Sequence, residues 1–324
     1  MSTARAHPNI ALIKYWGKAD DELMLPAAPS VSLTLDIFPT TTTARLAPTS
    51  HRDRLILNGQ EASEKALARV ERVLDVIRDQ AGRSEKLLVI SDNEAPTGAG
   101  MASSASGFAA LALAAATEYG MDVNTAQLSR LARRGSGSAA RSVISGVALW
   151  HAGTDEESFA EEISAPPLAM VSVVLNTAHK KITSREAMVT TRATSPYYCG
   201  WVESTRDMAA QMVDACKAGD MQRIGELTEL SALRMHALIM SSEPPIHYLT
   251  SASWRVFELA RTLRGVGLDV YATADAGPNV VLLTRPELAA EVARHAEALG
   301  KVSIAHAGNG AYLVEEPESH REVL

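Results

Sequence analysis

The sequence predicts an α+β fold, and three observations point to it. Short apolar and β-branched segments crowd the first third of the chain. Long segments with helical spacing follow one another at the start of the second half, and strand-like segments close the chain. Strands and helices that come in groups, without strict alternation, build α+β layers and not a doubly wound parallel sheet. A length of 324 residues leaves room for two domains.

The elements can be justified in order. Ile10–Ile13 is wholly apolar, and Val31–Leu35 alternates as a half-buried strand does. Thr40–Leu46 is rich in β-branched residues, and Leu55–Leu57 runs into Asn58-Gly59, a turn signal. Leu67, Val70, Leu74 and Ile77 fall on one helical face. Leu87–Ile90 reads as a buried strand. A glycine-rich turn, residues 96–104, then opens a nearly all-apolar helix that reaches Glu118. A helix apolar on every side is a buried one. Asn124–Arg134 reads as a short helix, and Val143–Trp150 and Leu168–Leu175 as strands. The polar stretch Asn176–Ser184 separates the halves, which sets a boundary near residue 180 and gives domains 1–180 and 181–324. Helices are expected over Trp201–Lys217, Met221–Leu238, Trp254–Leu263 and Glu287–Leu299. Strands are expected over Val270–Ala274, Val280–Leu283, Val302–Ala305 and Ala311–Val314.

Composition narrows the function classes. Hydrophobic residues make up 46% and charged residues 21%, ordinary for a globular chain with a substantial core. A net charge of -7 and a pI near 5.8 disfavour a nucleic-acid backbone as partner, although a few local cations can still dominate one cleft. Cys199 and Cys216 form neither a CxxC pair nor a metal-ligand spacing, and no HExxH occurs among the nine histidines. The longest apolar run, Phe108–Ala116, is too short to span a bilayer, and residues 1–9 lack the pattern of a secretory signal. The expectation is a cytoplasmic protein in a reducing compartment, without nucleic-acid or membrane partners.

The glycine-rich turn has two readings. Gly98 and Gly100 let the backbone approach a ligand, and Ser103 and Ser104 sit where free helix N–H groups gather, so the turn could be an anion site. It could equally be a flexible turn with a serine cap. A P-loop is excluded because no lysine follows, and a dinucleotide fingerprint fails because Ser103 stands at the third glycine position. Other charged positions are similarly open on spacing alone. Lys14 and Lys18 fit solvated cations at a strand end, Arg141 a turn cap, Asp275 a turn aspartate, and Ser184-Arg185 a solvated linker.

Several motifs in order change this picture. Pro96-x-x-x-Gly100-Met101-x-Ser103-Ser104-Ala105 resembles the ATP-phosphate loop of the GHMP kinase superfamily. Asn9-Ile-Ala-Leu-Ile-Lys-Tyr-Trp-Gly-Lys18, Arg134-Gly-Ser-Gly-Ser-Ala-Ala-Arg141 and Ala274-Asp-Ala-Gly-Pro-Asn279 resemble the signatures of the diphosphomevalonate decarboxylase family within it. Leu57-Asn-Gly59 and Lys180-Lys181 look similar too, and the resemblance spans nearly the whole chain.

The resemblance implies a GHMP-kinase-like two-domain fold with its site in the cleft between the domains. It implies ATP and Mg²⁺ as cofactors, the Mg²⁺ carried by the ATP phosphates, and a homodimer. Asp275 would be the catalytic carboxylate at a tertiary hydroxyl, with Lys14 beside it keeping it ionised, and Arg141 would face the departing carboxylate. Tyr15, Trp16, Gly17, Lys18, Arg69 (aligned with one residue gapped), Ser184 and Arg185 would take the substrate's phosphates. Ser136, Gly137, Ser138, Ala139 and Ala140 would form an oxyanion cradle with Arg141. Gly98, Ala99, Gly100, Met101, Ala102, Ser103, Ser104 and Lys180 would hold ATP. The implied reaction turns mevalonate 5-diphosphate and ATP into isopentenyl diphosphate, ADP, phosphate and CO₂. Alternatives on the same fold are a decarboxylase of the monophosphate or a kinase that stops at the 3-phosphate. More distant are a non-catalytic anion-binding protein and a nicotinamide oxidoreductase.

Overall fold

The structure is a computed structural model that describes residues 1–95, 103–176 and 182–321. In chain order the strands of the first part are β1 (Ser2–Ala6), β2 (Asn9–Ile13), β3 (Lys18–Asp20), β4 (Leu25–Pro26), β5 (Ser30–Thr34), β6 (Thr40–Ala47), β7 (Arg54–Leu57) and β8 (Gln60–Glu61). Helix α1 (Glu64–Ala81), strand β9 (Lys86–Asn93), helices α2 (Ser103–Glu118), α3 (Thr125–Gly135) and α4 (Ala139–Ser142), and strands β10 (Val147–Trp150) and β11 (Ala160–Glu162) follow. The rest comprises β12 (Ala169–Val174), α5 (Ser184–Thr194), α6 (Tyr198–Ala218), α7 (Met221–Met240), α8 (Ser251–Gly265), β13 (Val270–Thr273), β14 (Val280–Thr284), α9 (Ala289–Ala296), β15 (Lys301–His306), β16 (Tyr312–Leu313) and α10 (Glu318–Arg321).

Three sheets carry the fold. The largest has the order β16-β1-β6-β9-β7-β8, a second has β11-β10-β5-β2, and a third has β13-β14-β12-β15. All pairings are antiparallel except β7 with β9. Asn58 and Gly59 both take positive φ (48° and 74°), the geometry a two-residue turn needs to match the strand twist of β7–β8. Helix α1 starts at Ser63, whose side chain accepts from the Ala66 N–H, and stops at Gly82 with φ 62°. Its Leu67, Val70, Leu74 and Ile77 are buried, as their spacing requires. The apolar α2 lies buried among β1, β6, α1 and α3 and centres the first core. A second core joins β2, β5 and β10 to β12, β14, α6 and α7, so the two parts share one continuous interior. A third lies between the last sheet and helices α8 and α9.

The chain crosses between the parts in ways that differ from the expected division at residue 180. Strand β12, assigned to the first half by that boundary, bonds on one side to β14 and on the other to β15. Its residues Ala169–Val173 are buried because a sheet covers both edges and cores lie on both faces. The closing strand, β16, pairs with β1 at the other end of the chain. Two local expectations also fail. The strand expected over 143–150 begins only at Val147, because α4 and a turn ending at Gly146 (φ 62°) occupy the preceding residues. Helix α5 rises directly after the polar stretch, on a reciprocal capping box of Thr183 with Glu186.

Candidate active site

Strand β2 is buried along its whole length, and the chain leaves it at Lys14. The Lys14 side chain turns inward and is 1% exposed. Its Nζ donates to Ala11 O at 2.8 Å and to Asp275 Oδ1 at 2.7 Å. Its backbone N–H donates to Ser231 Oγ on α7 at 2.9 Å. Burial pulls the Lys14 pKa down, Asp275 opposes that shift, and the nearby Arg141 adds to it.

Asp275 stands in the loop between β13 and β14, 33% exposed. The loop is pinned at several atoms. Gly277 N–H donates to Asp275 O at 2.7 Å, and Ser253 Oγ donates to Pro278 O at 2.6 Å. Asn279 Oδ1 accepts from the N–H groups of Leu175 (2.9 Å) and Asn176 (3.1 Å) at the end of β12. The buried His236 of α7 lies against Ala274 O at 3.4 Å. Burial first, then the Lys14 charge, push its pKa down to about 4, so its ring is neutral at physiological pH.

Arg141 comes from α4 and is 3% exposed. Its Nη1 donates to Ser30 Oγ at 2.6 Å and its Nε to Asn9 Oδ1 at 3.3 Å. Asn9 is oriented in turn by Ser142 Oγ and Ser138 O. The guanidinium carbon lies 5.8 Å from the Trp150 ring centre. Among the described residues no carboxylate lies within ion-pair distance of Arg141, and burial brings its pKa down to about 10. A buried cation held only by neutral groups is costly unless an anion arrives.

The Gly/Ser turn before Arg141 engages part of its own backbone. The N–H groups of Ala139, Ala140 and Arg141 donate to the carbonyls of Ser136, Gly137 and Ser138, so these amides are engaged within the turn. Among the described residues no backbone bond engages the N–H groups of Gly137 and Ser138, and Ser136 Oγ lies 3.3 Å from both Ser138 Oγ and Ser104 Oγ. Ser104 belongs to the first turn of α2, where the positive end of the helix dipole lies. Gly98, Ala99, Gly100, Met101, Ala102 and Lys180 lie outside the described residues, as does the side chain of Ser103.

The remaining expected residues form the outer end of the site. Tyr15 packs edge-on against Trp150 with centroids 4.9 Å apart, and its hydroxyl would lie 2.9 Å from a Cβ at Gly137, which explains the glycine there. Gly17 has φ 93°, and a Cβ on it would lie 2.0 Å from the Tyr198 hydroxyl. Lys18 Nζ reaches Asp21 at 3.1 Å, while its carbonyl accepts from Arg192 at 2.7 Å. Arg69 donates twice to Gly135 O (3.1 and 2.8 Å) and lies 4.6 Å above the Phe108 ring. Its pKa falls to about 10, through burial and then the charges of Arg185 and Arg72. Ser184 and Arg185 open α5, and Arg185 acts electrostatically on both Arg69 and Tyr15. The structure therefore brings Lys14, Arg141 and Asp275 together, sets Tyr15 beside them on Trp150, and links Tyr15 and Arg69 electrostatically to Arg185. A separate cavity of about 420 Å³, lined by residues such as Pro26, His151 and Arg206, includes none of the deep three. Asn9, Ser30, Ser231 and His236, which hold those three in place, carry no spacing signal of their own.

A buried lysine paired with an aspartate, beside a buried arginine that has no ion-pair partner among the described residues, defines the class: an enzyme that handles small anionic substrates. The diphosphomevalonate decarboxylase-like N-terminal domain matches residues 6–160, and the mevalonate 5-diphosphate decarboxylase C-terminal domain matches residues 169–316. Human diphosphomevalonate decarboxylase is 36% identical over 315 residues, which is 89% of this chain and 78% of that protein. The solved mevalonate diphosphate decarboxylase of Staphylococcus aureus is 38% identical with a TM-score of 0.93, covering 97% of this chain and 98% of that one. A complex of MDDEF with MVAPP, AMPPCP and magnesium is 41% identical with a TM-score of 0.92, covering 97% and 99%. The chain belongs to the diphosphomevalonate decarboxylase family, with the two-domain α+β fold of the GHMP type.

Proposed function

We propose the following roles for the residues of this ATP-dependent decarboxylase, whose substrate is mevalonate 5-diphosphate and whose products are isopentenyl diphosphate, ADP, phosphate and CO₂. One observation carries the reading. The Lys14–Asp275 pair joins the end of β2 to the β13–β14 loop, beside an Arg141 that has no anionic partner of its own among the described residues.

Asp275 accepts the proton of the 3-hydroxyl as the γ-phosphoryl moves to that oxygen. A carboxylate paired with lysine is a weak base, but a loose phosphoryl transfer releases the proton late, when the hydroxyl has become acidic. Lys14 holds Asp275 in position and adds positive charge where negative charge passes. The C3–O bond then breaks with the new phosphate as leaving group. The electrons of the C–CO₂ bond form the alkene, and CO₂ departs. Arg141 binds the carboxylate through its fork until that step. Ser136 and Ser138 flank it, and Ser104 links this turn to the nucleotide side at the start of α2. Lys18, Arg69, Ser184 and Arg185 hold the diphosphate, with Tyr15, Trp16 and Gly17 as its wall.

ATP is the phosphoryl donor, and the glycine-rich turn before α2 together with Lys180 holds it. Mg²⁺ comes with the nucleotide phosphates and neutralises charge during transfer. Among the described residues no group of three His, Cys, Asp or Glu side chains could hold a metal. The enzyme is a homodimer of the cytoplasm in this reading. No helix among the described residues is long and apolar enough to cross a membrane.

The test is to follow ADP and CO₂ together with ATP, Mg²⁺ and each of mevalonate, its 5-phosphate and its 5-diphosphate. Equimolar ADP and CO₂ from the diphosphate alone is the expected result. ADP without CO₂ would remove the role given to Arg141, and turnover only of the monophosphate would remove those of Lys18 and Arg185.

A further inference from the structure

Helix α6 is absent from the roles above, yet its first residue reaches the substrate segment. The Tyr198 hydroxyl is pressed against Gly17, so closely that a Cβ there would lie 2.0 Å away. The hydroxyl is buried and has no hydrogen-bond partner among the described residues. The ring is tilted 30° against Trp201 at 6.2 Å, which fixes its direction. Three more buried groups are in the same condition in the surrounding shell: the Tyr15 hydroxyl and the indole N–H groups of Trp16 and Trp201. Trp16, Trp201 and Tyr198 belong to one packed cluster. Buried polar groups in folded proteins are nearly always satisfied, so such exceptions need a cause.

The cause suggested by the surroundings is a ligand. Every unsatisfied group here can donate, and indole N–H can do nothing else. A diphosphate offers only acceptors at neutral pH. Cations stand around it as well: Arg141 and Arg185 act on Tyr15, Arg192 acts on Tyr198, and Lys18 follows Gly17, with the half-exposed Asp21 carboxylate between Lys18 and Arg192. We propose that Tyr198 is a specificity-determining residue of the decarboxylase, its hydroxyl donating a hydrogen bond to the diphosphate end of the substrate beside Gly17. The inference rests on the diphosphate lying against Tyr15–Lys18 and Arg185. Burial raises the phenol's pKa, which keeps the proton in place for donation. The glycine at 17 follows from the same geometry, because any side chain would displace the hydroxyl.

Tyr198→Phe removes the oxygen and keeps the ring. KM for mevalonate 5-diphosphate should rise about ten- to hundredfold, the range for a hydrogen bond to a charged group in a binding site. The kcat and the KM for ATP should each stay within about twofold, and the melting temperature should not fall. Inorganic diphosphate, used as a competitive inhibitor, should lose affinity by a similar factor. Unchanged KM and inhibition overturn the inference, and so does an equal loss toward ATP. Arg185→Ala separates the two levels. If it raises KM for the diphosphate while Tyr198→Phe leaves it unchanged, the inference fails and the placement of the diphosphate stands. If neither variant changes KM, both fail.

Discussion

The two ends of the site are cationic in different ways. At the deep end, Lys14 and Arg141 are 1% and 3% exposed. They are held by Ala11 O, Ser30, Asn9 and a single carboxylate, Asp275. At the outer end Lys18 meets Asp21, itself 54% exposed, and Arg185 is exposed on the first turn of α5. The first arrangement is expensive to assemble, because ions are removed from water and only partly repaired by neutral dipoles. The second costs less, since the 8% exposed Lys18 has Asp21 as counter-charge and Arg185 stays in reach of solvent. The deep end is fixed before the substrate arrives, as electrostatic catalysis requires, while the outer end supplies attraction and selection. Substitutions should separate accordingly, with chemistry and stability changing at the deep end and KM at the outer one.

The largest expected effect is at Asp275. Asp275→Asn should lower kcat by about 10²–10⁴, the range for a lost proton acceptor. ADP and CO₂ should fall in parallel, measured in one assay. The same change leaves Lys14 buried without its counter-charge, so the variant should also lose about 1–3 kcal/mol of stability in denaturant unfolding. Lys14→Met should be just as inactive and more stable than Asp275→Asn. If both variants melt alike, the deep pair is not the strained element described here.

Arg141→Met comes next and should move activity and stability in opposite directions. Losing the fork proposed for the carboxylate should reduce kcat/KM by about 10²–10³, in the range found when one partner of a buried charge pair is truncated. Removing a buried cation that lacks an anion should leave stability unchanged or raise it by about 1–2 kcal/mol. A melting temperature below wild type would show that the arginine is structural and that Ser30 and Asn9 compensate it fully.

The contrast between the ends also marks what could be read from the sequence. Periodicity found the buried face of α1, the apolar α2 and most strands, because each is a local pattern imposed by one interface. It missed α5, although the Thr183–Glu186 capping box was visible, because the polar stretch ahead of it suggested a linker. It extended a strand through Val143–Gly146 because apolar residues near Gly146 do not reveal a turn. No spacing rule could pair Lys14 with Asp275 across 261 positions. The motifs proposed that pairing only by resemblance. Ser231 and His236 were invisible for the same reason: α7 reads as a core helix, and which residues face β2 and the β13–β14 loop depends on tertiary packing.

Gly17→Ala sharpens the outer end. The new methyl would meet the Tyr198 hydroxyl at 2.0 Å on a backbone with φ 93°. The expected cost is about 1–3 kcal/mol of stability, together with a rise in KM for the diphosphate larger than any change in kcat. Steady-state kinetics beside thermal unfolding would check both. A kcat loss comparable to that of Asp275→Asn would mean that the two ends are one mechanical unit, contrary to the division drawn above.

The smallest expected effect comes from beneath the deep end. His236 is 3% exposed, and its pKa falls from 6.5 to about 4 because burial and the Lys14 charge disfavour the imidazolium. The unfolded chain then binds a proton that the folded chain refuses between those two values. Stability from this group is therefore complete above pH 6.5 and declines as pH falls through about 4. The full span is roughly 3 kcal/mol, at about 1.4 kcal/mol per pH unit. His236→Gln keeps a side-chain amide donor for Ala274 O and removes the titration. Other groups titrate in the same range, so the informative quantity is the difference between the two unfolding profiles. That difference should be flat above pH 6.5 and should close in favour of the glutamine variant toward pH 4. If the two profiles run parallel, His236 titrates alike in the folded and unfolded chain, and burial beneath the loop bearing Asp275 does not disfavour its imidazolium.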